Sequence, residues 1–372
     1  MKISNARILG EVPGMTTNWA ERGVTHCSDK SKDWDVINRR DLIKYSLLGA
    51  ATAPLAGLGA PASAEGTKVA IAEALRLGMY NSLYVAADKG LFAKHGLAAD
   101  LSTAGGIALP VPILLSGRGQ IGVTSPGMSV NAVREGGKIK NIAKIVGGVS
   151  MWGIAKPDSK IKTLDDLRGK TIATLKFPSS TIQVPTFAIK TVGKFDPKEA
   201  GVTFLELPPG AQAAAVKDGR ADIATAFEWD VSIAAEQFGL VPVLSFADVL
   251  GPLCFTTAMA TEETIASNPA AVQGFCNAIA EAQKLMHENN AVFTEVAEKY
   301  FPKVTPSVVA NATKNFFGSK TAIPRNPTIS ADEWDRAMQL EQGGGAVQSV
   351  LSYAQMVDNR FAEQATRQFG LA

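Results

Sequence analysis

Three consecutive hydroxyl residues, Ser179, Ser180 and Thr181, lie where a strand-like run ends and a helical pattern begins. Residues 171–175 have the composition of a strand, and apolar residues recur at helical spacing over 182–192. The first turn of a helix leaves backbone N–H groups unpaired, and hydroxyl side chains beside them add further donors. This junction therefore predicts a cradle for an anionic group.

A shorter helical pattern comes just before this junction. Residues 164–167 predict a short helix with Thr163 as its N-cap, and Gly169 ends it. Asp165 and Asp166 would then lie at the positive end of the helix dipole.

The composition is that of an ordinary globular protein. The chain has 372 residues, 46% hydrophobic content and a formal net charge of +2. This length is sufficient for two domains, and the charge balance gives no reason to expect a nucleic-acid partner.

The first 64 residues do not have the pattern of a folded domain. Asn38-Arg39-Arg40-Asp41-Leu42 precedes an apolar run over 45–59, and Ala62-Ser63-Ala64 supplies small residues at the positions that a signal peptidase reads. The segment resembles a twin-arginine export signal that is cleaved after Ala64, which predicts a periplasmic protein. A membrane anchor is the alternative, but the run is short for a span of ~20 strongly apolar residues. The leader before the arginines is long, and Met15 is an alternative start.

Cleavage would leave a chain without net charge. Residues 1–64 hold eight Lys/Arg and six Asp/Glu, so 29 residues of each sign remain. Any charge selectivity must then be local. Cys254 and Cys276 would also remain, and the sequence leaves open whether they form a disulfide or are buried separately as thiols.

After residue 65 the predicted strands and helices alternate, which indicates right-handed βαβ units and mostly parallel sheets. The alternation pauses near 150, begins again over 153–252, and an extended run follows at 253–260. This order predicts an α/β fold with a discontinuous first domain (65–152 and 253–372) and an inserted second domain (153–252). Beyond residue 260 we expect helices and loops, including a last long helix over 347–369.

Several short segments occur in an order that resembles a known family. They are GLFAKHGL (90–97), LDDLRGKTIA (164–173) and KDGRADI (217–223), followed by Asn268-Pro269. This order is similar to that of the periplasmic solute-binding proteins of nitrate, sulfonate and taurine ABC importers. The resemblance covers nearly all of the chain after the signal. Gly122 and the segment 228–230 depart from the family pattern.

The resemblance implies a periplasmic binding protein type II clamshell, in which two βα domains are joined by two hinge crossings. It also implies a monomer that closes on one small solute and delivers it to a permease and ATPase. The solute would be a small anionic or zwitterionic molecule such as a sulfonate, taurine or nitrate. The residues that the resemblance places at the ligand are Tyr80, Asn81, Ser82, Gly105, Gly106, Thr124, Ser125, Trp152, Ser179, Ser180, Thr181 and Glu228.

Each of these residues also has a purely structural interpretation. Ser125 is a good N-cap in any protein, Trp152 and Trp229 are often packing residues, and Glu228 and Asp230 could form a solvated loop. If the two acidic residues face the ligand, they would repel a bare anion and favour a solute with an amine.

Enzyme motifs are weak, and the sequence predicts no catalytic residue, no metal site and no cofactor. Residues 117–122 match G-x-G-x-x-G, but they follow a helical pattern and precede a strand, the reverse of a dinucleotide site. Two other functions remain open: a ligand-binding sensor for a membrane receptor, and a protein that binds pyrimidine precursors.

Overall fold

The computed structural model describes residues 66–177 and 179–371. The predicted export signal lies outside these residues. The described part contains two five-stranded sheets. The first sheet comprises β1 (Thr67–Glu73), β2 (Leu97–Thr103), β3 (Ile121–Thr124), β4 (Ile139–Val146) and β10 (Thr256–Thr261). The second comprises β5 (Met151–Ala155), β6 (Thr171–Leu175), β7 (Thr203–Leu207), β8 (Ile223–Phe227) and β9 (Val241–Ser245).

The helices follow the strands in alternation and then dominate the C-terminal part. They are α1 (Asn81–Asp88), α2 (Leu91–Lys94), α3 (Pro110–Leu115), α4 (Pro126–Arg134), α5 (Ser180–Thr191), α6 (Ala211–Lys217), α7 (Asp230–Phe238) and α8 (Phe246–Leu250). The remaining helices are α9 (Glu262–Ser267), α10 (Pro269–Glu288), α11 (Ala291–Tyr300), α12 (Pro306–Gly318), α13 (Ala331–Gly343), α14 (Tyr353–Met356) and α15 (Arg360–Phe369).

Each sheet is mostly parallel, as the alternation predicts. The strand orders are β2-β1-β3-β10-β4 and β7-β6-β8-β5-β9. In the first sheet only β10 runs antiparallel to its neighbours, and in the second only β5 does. These are the strands by which the chain enters the second sheet and returns to the first. The two predicted crossings of the chain near residues 150 and 250 are therefore confirmed. The strand that follows each crossing runs antiparallel to its neighbours.

Two local predictions are wrong. Residues 164–167 form only a 3-10 turn, Asp165–Leu167, and Thr163 does not accept a capping bond. Instead the Asp166 carboxylate accepts bonds from the N–H groups of Lys162 and Thr163 and from the Thr163 hydroxyl, at 2.8–3.0 Å. Hydrogen bonding to these donors holds the pKa of Asp166 below its ordinary value.

The predicted last helix over 347–369 is also wrong. The segment contains α14 and α15, separated by Val357, which forms a parallel bridge with Asn141 at the edge of the first sheet. The Asn359 side chain pairs with the backbone of Ile329 in both directions, at 3.0 and 3.1 Å. Pairing with the sheet therefore interrupts the helix.

Several remaining features agree with expectation or resolve an open alternative. The segment 117–122 connects α3 to β3, so it cannot present a helix N-terminus to a pyrophosphate. Cys254 and Cys276 are both buried free thiols. No helix of the described residues combines the length and apolarity that crossing a bilayer requires.

Candidate functional site

A cavity of about 650 Å³ lies where loops of both sheets meet. The carboxyl ends of five strands lie at this cavity. These strands are β1, β2, β3, β6 and β8, and they run parallel to their neighbours among this set. This is where α/β sheets collect ligands. We call it the central cavity; its lining residues are Leu75, Leu77, Met79, Tyr80, Ile107, Ser125, Met128, Ser150, Ser179, Ser180, Gln183, Val184, Phe227, Glu228, Trp229, Asp230, Phe255, Thr256, Phe316, Leu340, Glu341, Gly344 and Ala346.

Five of the twelve residues predicted at the ligand line this cavity. They are Tyr80, Ser125, Ser179, Ser180 and Glu228. Tyr80 is buried, and Thr256 lines the cavity with it. Burial also raises the pKa of Tyr80, so the hydroxyl stays protonated at neutral pH.

The other predicted residues lie behind the lining. Thr124 is buried and donates its hydroxyl to the Ile107 carbonyl at 2.6 Å, which fixes a loop that does line the cavity. Gly105 and Gly106 donate their N–H groups to the Ala74 carbonyl at 3.0 and 2.9 Å. Trp152 packs edge-on against the lining residue Phe316, with ring centroids 5.7 Å apart.

Asn81 and Ser82 begin α1 and are fully buried. Among the described residues their side-chain polar atoms have no hydrogen-bond partner. They follow Tyr80 in sequence but do not contribute to the cavity lining.

The start of α5 divides its three hydroxyl residues between two roles. Ser179 is the N-cap and accepts the N–H of Thr181 at 3.2 Å. The Thr181 hydroxyl accepts the N–H of Leu175 at 2.9 Å, and Thr181 is only 4% exposed. Ser179 and Ser180 therefore face the cavity, whereas Thr181 ties the helix to the strand behind it.

Glu228 follows β8 and is held by the protein itself. One carboxylate oxygen accepts the Ser232 hydroxyl and the Asn315 amide, and the other accepts the Ser232 N–H at 3.1 Å. Burial raises the pKa of Glu228, while these hydrogen bonds act in the opposite direction. Because Asn315 belongs to α12, Glu228 also joins the second sheet to the C-terminal helices.

Sequence reasoning missed the contribution of α12 and α13. Phe316, Leu340 and Glu341 come from these helices, and Gly344 and Ala346 follow α13. Glu341 accepts the Ser125 hydroxyl, and burial raises the pKa of its carboxyl. An acidic residue two positions before the triplet Gly343-Gly344-Gly345 is the sequence signal that could have drawn attention to this loop.

Trp229 also lines the cavity, although the sequence alone did not decide between a packing role and a place at the ligand. Its indole ring lies 4.9 Å from the ring of Phe301 and stacks with Phe293 at 6.3 Å, centroid to centroid. It also packs closely over Gly78 of the first-sheet side, where an added Cβ would approach the indole to 2.7 Å. Trp229 thus combines packing with a place in the cavity wall.

Proteins that are named as binding proteins are similar to this chain. YtlA of Bacillus subtilis, which carries the name of a binding protein, is 25% identical over 304 residues, or 81% of this chain and 90% of YtlA. The structure of the periplasmic aliphatic sulphonate binding protein SsuA from Escherichia coli superposes with a TM-score of 0.59 at 18% identity, covering 78% of this chain and 92% of SsuA.

The same fold also supports catalysis in another protein. The desulfurization enzyme DszB superposes with a TM-score of 0.54 at 12% identity, covering 81% of this chain and 99% of the enzyme. At these identities the solved structures establish the fold, which is that of the type II periplasmic binding proteins. A sequence model of the NMT1/THI5-like family matches residues 80–291, more than half of the chain. The protein belongs to the NMT1/THI5-like family.

Proposed function

We propose that the protein is the extracytoplasmic solute-binding component of an ABC importer. The observation that carries the proposal is the central cavity, which is enclosed by loops of both sheets at the carboxyl ends of their parallel strands. A volume of about 650 Å³ suits a small organic molecule. Binding would favour a closed arrangement of the two sheets, because contacts with both are made only when they approach.

The remaining parts of the proposal follow from the sequence. The twin-arginine signal, cleaved after Ala64, would deliver the chain to the periplasm. The domain division 65–152 with 253–372 and 153–252 would allow closure about the two crossings. A permease and an ATPase would then take the solute from the monomeric protein.

A zwitterionic solute fits the cavity better than a bare anion. Ser179 and Ser180 lie at the N-terminus of α5, where the helix dipole favours a negative group. The carboxylates of Glu228 and Asp230 line the same cavity. A solute with charges of both signs could therefore satisfy both parts of the lining.

Native mass spectrometry of the full chain, purified without denaturation, tests solute binding. We expect a retained small molecule, and small-angle X-ray scattering should show a smaller radius of gyration when that molecule is added to stripped protein. Uptake of the solute should fall in a strain that lacks the protein. A protein that retains no solute and does not change its radius with any solute would contradict the proposal.

The likeness to DszB gives an enzyme as the second candidate. The two functions differ in the fate of the solute: a binding protein releases it unchanged, whereas an enzyme releases a product. Mass analysis of the solute after prolonged incubation separates them. A receptor-linked sensor would instead leave uptake intact in the deletion strain and abolish only a transcriptional response.

A further inference from the structure

The central cavity contains acidic side chains and an otherwise mostly apolar lining. Its charged residues are Glu228, Asp230 and Glu341, and no Lys, Arg or His occurs among its described lining residues. Apolar side chains form most of the remaining wall: Leu75, Leu77, Met79, Ile107, Met128, Val184, Phe227, Trp229, Phe255, Phe316 and Leu340. Glu228 is buried and Glu341 is half-buried among these side chains, where charges are poorly screened, whereas Asp230 is exposed to solvent.

The position of Glu341 is specific. Ser125, the N-cap of α4, donates its hydroxyl to one Glu341 oxygen. The other oxygen, Oε2, lies 2.8 Å from the place that a Cβ of residue 127 would take, so only glycine fits there without displacing the carboxylate. The protein's own carboxylate therefore lies against the start of α4, one of the helix N-termini at the cavity, and would repel an anion there.

The three carboxylates differ in their remaining capacity to accept hydrogen bonds. Both oxygens of Glu228 already accept bonds from Ser232 or Asn315. Glu341 accepts one bond, from Ser125, and the Asp230 side chain has no hydrogen bond or ion pair with the described residues. A carboxylate has about four acceptor positions. Glu341 and Asp230 can thus accept several more donors, and burial raises the pKa of Glu341, as expected for a carboxylate without a counter-charge.

We propose that the cavity selects solutes that carry a protonated amine or amidine on an apolar body, and that Glu341 and Asp230 bind the cationic group. This inference rests on the proposed solute-binding function and narrows its ligand class. The apolar wall would hold the body of the solute, and an additional anionic group would face Ser179 and Ser180. Nitrate and simple sulfonates, which lack a cationic group, would be rejected.

Four probes that share one aromatic ring test the charge requirement on the full chain. They are benzylammonium, the zwitterion 4-(aminomethyl)benzoate, neutral benzyl alcohol and p-toluenesulfonate. Thermal-shift and calorimetric titrations should show the two amines binding at least tenfold more tightly than the alcohol, and no binding of the sulfonate. A sulfonate that binds more tightly than the amines would overturn the inference.

Variants of the carboxylates test whether Glu341 and Asp230 bind the amine. Glu341→Gln keeps an oxygen that can accept the Ser125 hydroxyl but removes the charge, so amine affinity should fall at least tenfold. Asp230→Asn should weaken amine binding in the same direction. The matched control is Glu298→Gln, which removes an exposed carboxylate from α11 and should leave amine affinity unchanged. Unchanged affinity in both cavity variants would overturn the assignment.

Identifying the solute that the protein retains during purification distinguishes failure of this inference from failure of the proposed function. A retained solute with an amine or amidine supports both, even if none of the four probes binds. A retained solute without a basic nitrogen leaves the solute-binding function intact and overturns the inference. Absence of any retained solute, together with silence of all four probes, overturns both.

Discussion

At the scale of single residues, neighbouring hydroxyl groups at the start of α5 differ in function. The Thr181 hydroxyl accepts the Leu175 N–H, and the Thr181 carbonyl accepts the Thr225 hydroxyl at 2.6 Å. The side chain of Ser180 lines the central cavity instead. Adjacent positions in a first helical turn face different directions, so three hydroxyl residues in a row cannot all reach one ligand.

This division predicts that substitutions at Thr181 and Ser180 differ in their effect on stability. Thr181→Val keeps the shape of the side chain but leaves the Leu175 N–H without its acceptor, so the free energy of unfolding should fall by about 1–3 kcal/mol. Urea unfolding of the empty protein measures the change. Thr181→Ser, which keeps the hydroxyl, and Ser180→Ala, which changes only the cavity wall, should both stay close to wild type. Equal stability of Thr181→Val and wild type would show that the bond contributes nothing.

The buried carboxyl of Glu341 makes stability depend on pH. Because burial raises its pKa in the folded state, the folded protein retains this proton to higher pH than the unfolded chain does. The associated stabilisation is complete below the ordinary Glu value of 4.5 and is lost as pH rises through the folded-state pKa. Glu341 itself contacts the uncharged Ser125 hydroxyl; Glu228 and Asp230, which line the same cavity, have raised pKa values as well.

The comparison of Glu341→Gln with wild type isolates this effect, since the other two carboxyls are common to both proteins. The variant should gain stability relative to wild type as pH rises from 4 to 8, so its Tm should rise relative to that of wild type over this range. Melting temperatures of both empty proteins at several pH values give the difference. A difference that is constant over this range would mean that Glu341 titrates as it does in the unfolded chain.

At the scale of elements, sequence patterns predicted most strands and the helices between them, because periodicity reports directly on which face of an element is buried. They did not predict that Val357 would pair beside β4 and divide the last helix, since a distant strand supplied the partner. The same limit applies to the site. The starts of α4 and α5 can be predicted from neighbouring residues in the sequence. The contact between Glu341 and Ser125 cannot, because 216 residues separate them.

One contact between elements requires a glycine, because a larger residue would collide with Trp229. Gly78 begins the 3-10 helix Gly78–Tyr80, and the Trp229 indole from the loop after β8 packs against it. Gly78→Ala would place a Cβ 2.7 Å from Trp229, whose ring cannot retreat easily because it packs on Phe293 and Phe301. We expect a loss of about 1–3 kcal/mol in unfolding free energy and a shifted Trp emission maximum.

Gly318→Ala is the matched control for this substitution. Gly318 ends α12, and a Cβ there would meet no atom within 4 Å. Its stability should equal or slightly exceed that of wild type, because alanine favours a helix more than glycine does. If Gly78→Ala behaves like Gly318→Ala, the indole does not pack against Gly78 in solution.

At the scale of the whole molecule, the segment from α13 onward makes hydrogen bonds to elements on both sides of the cavity. The Asn131 amide of α4 donates to the Ala346 carbonyl at 2.9 Å, and Asn141 of β4 donates to the Met356 carbonyl at 3.1 Å. The Gln183 side chain of α5, which packs beside the second sheet, donates to the Gly344 carbonyl. This bond therefore connects the two sides of the cavity without involving a ligand.

In the proposed closure on a solute, a bond of this kind would favour the closed arrangement. Gln183→Ala removes it, and a net loss of about 1 kcal/mol would shift that equilibrium roughly fivefold toward the open form. Small-angle X-ray scattering of the empty protein should show a larger radius of gyration. The affinity for the retained solute should fall by a similar factor, because binding must then supply the free energy of closure. Gln273→Ala is the control: the Gln273 amide also donates to a backbone carbonyl, that of Phe361, but within the first-sheet side. A radius that is unchanged in Gln183→Ala and equal to that of the control would show that the empty protein is already open, and that the Gln183 bond forms only when a solute closes it.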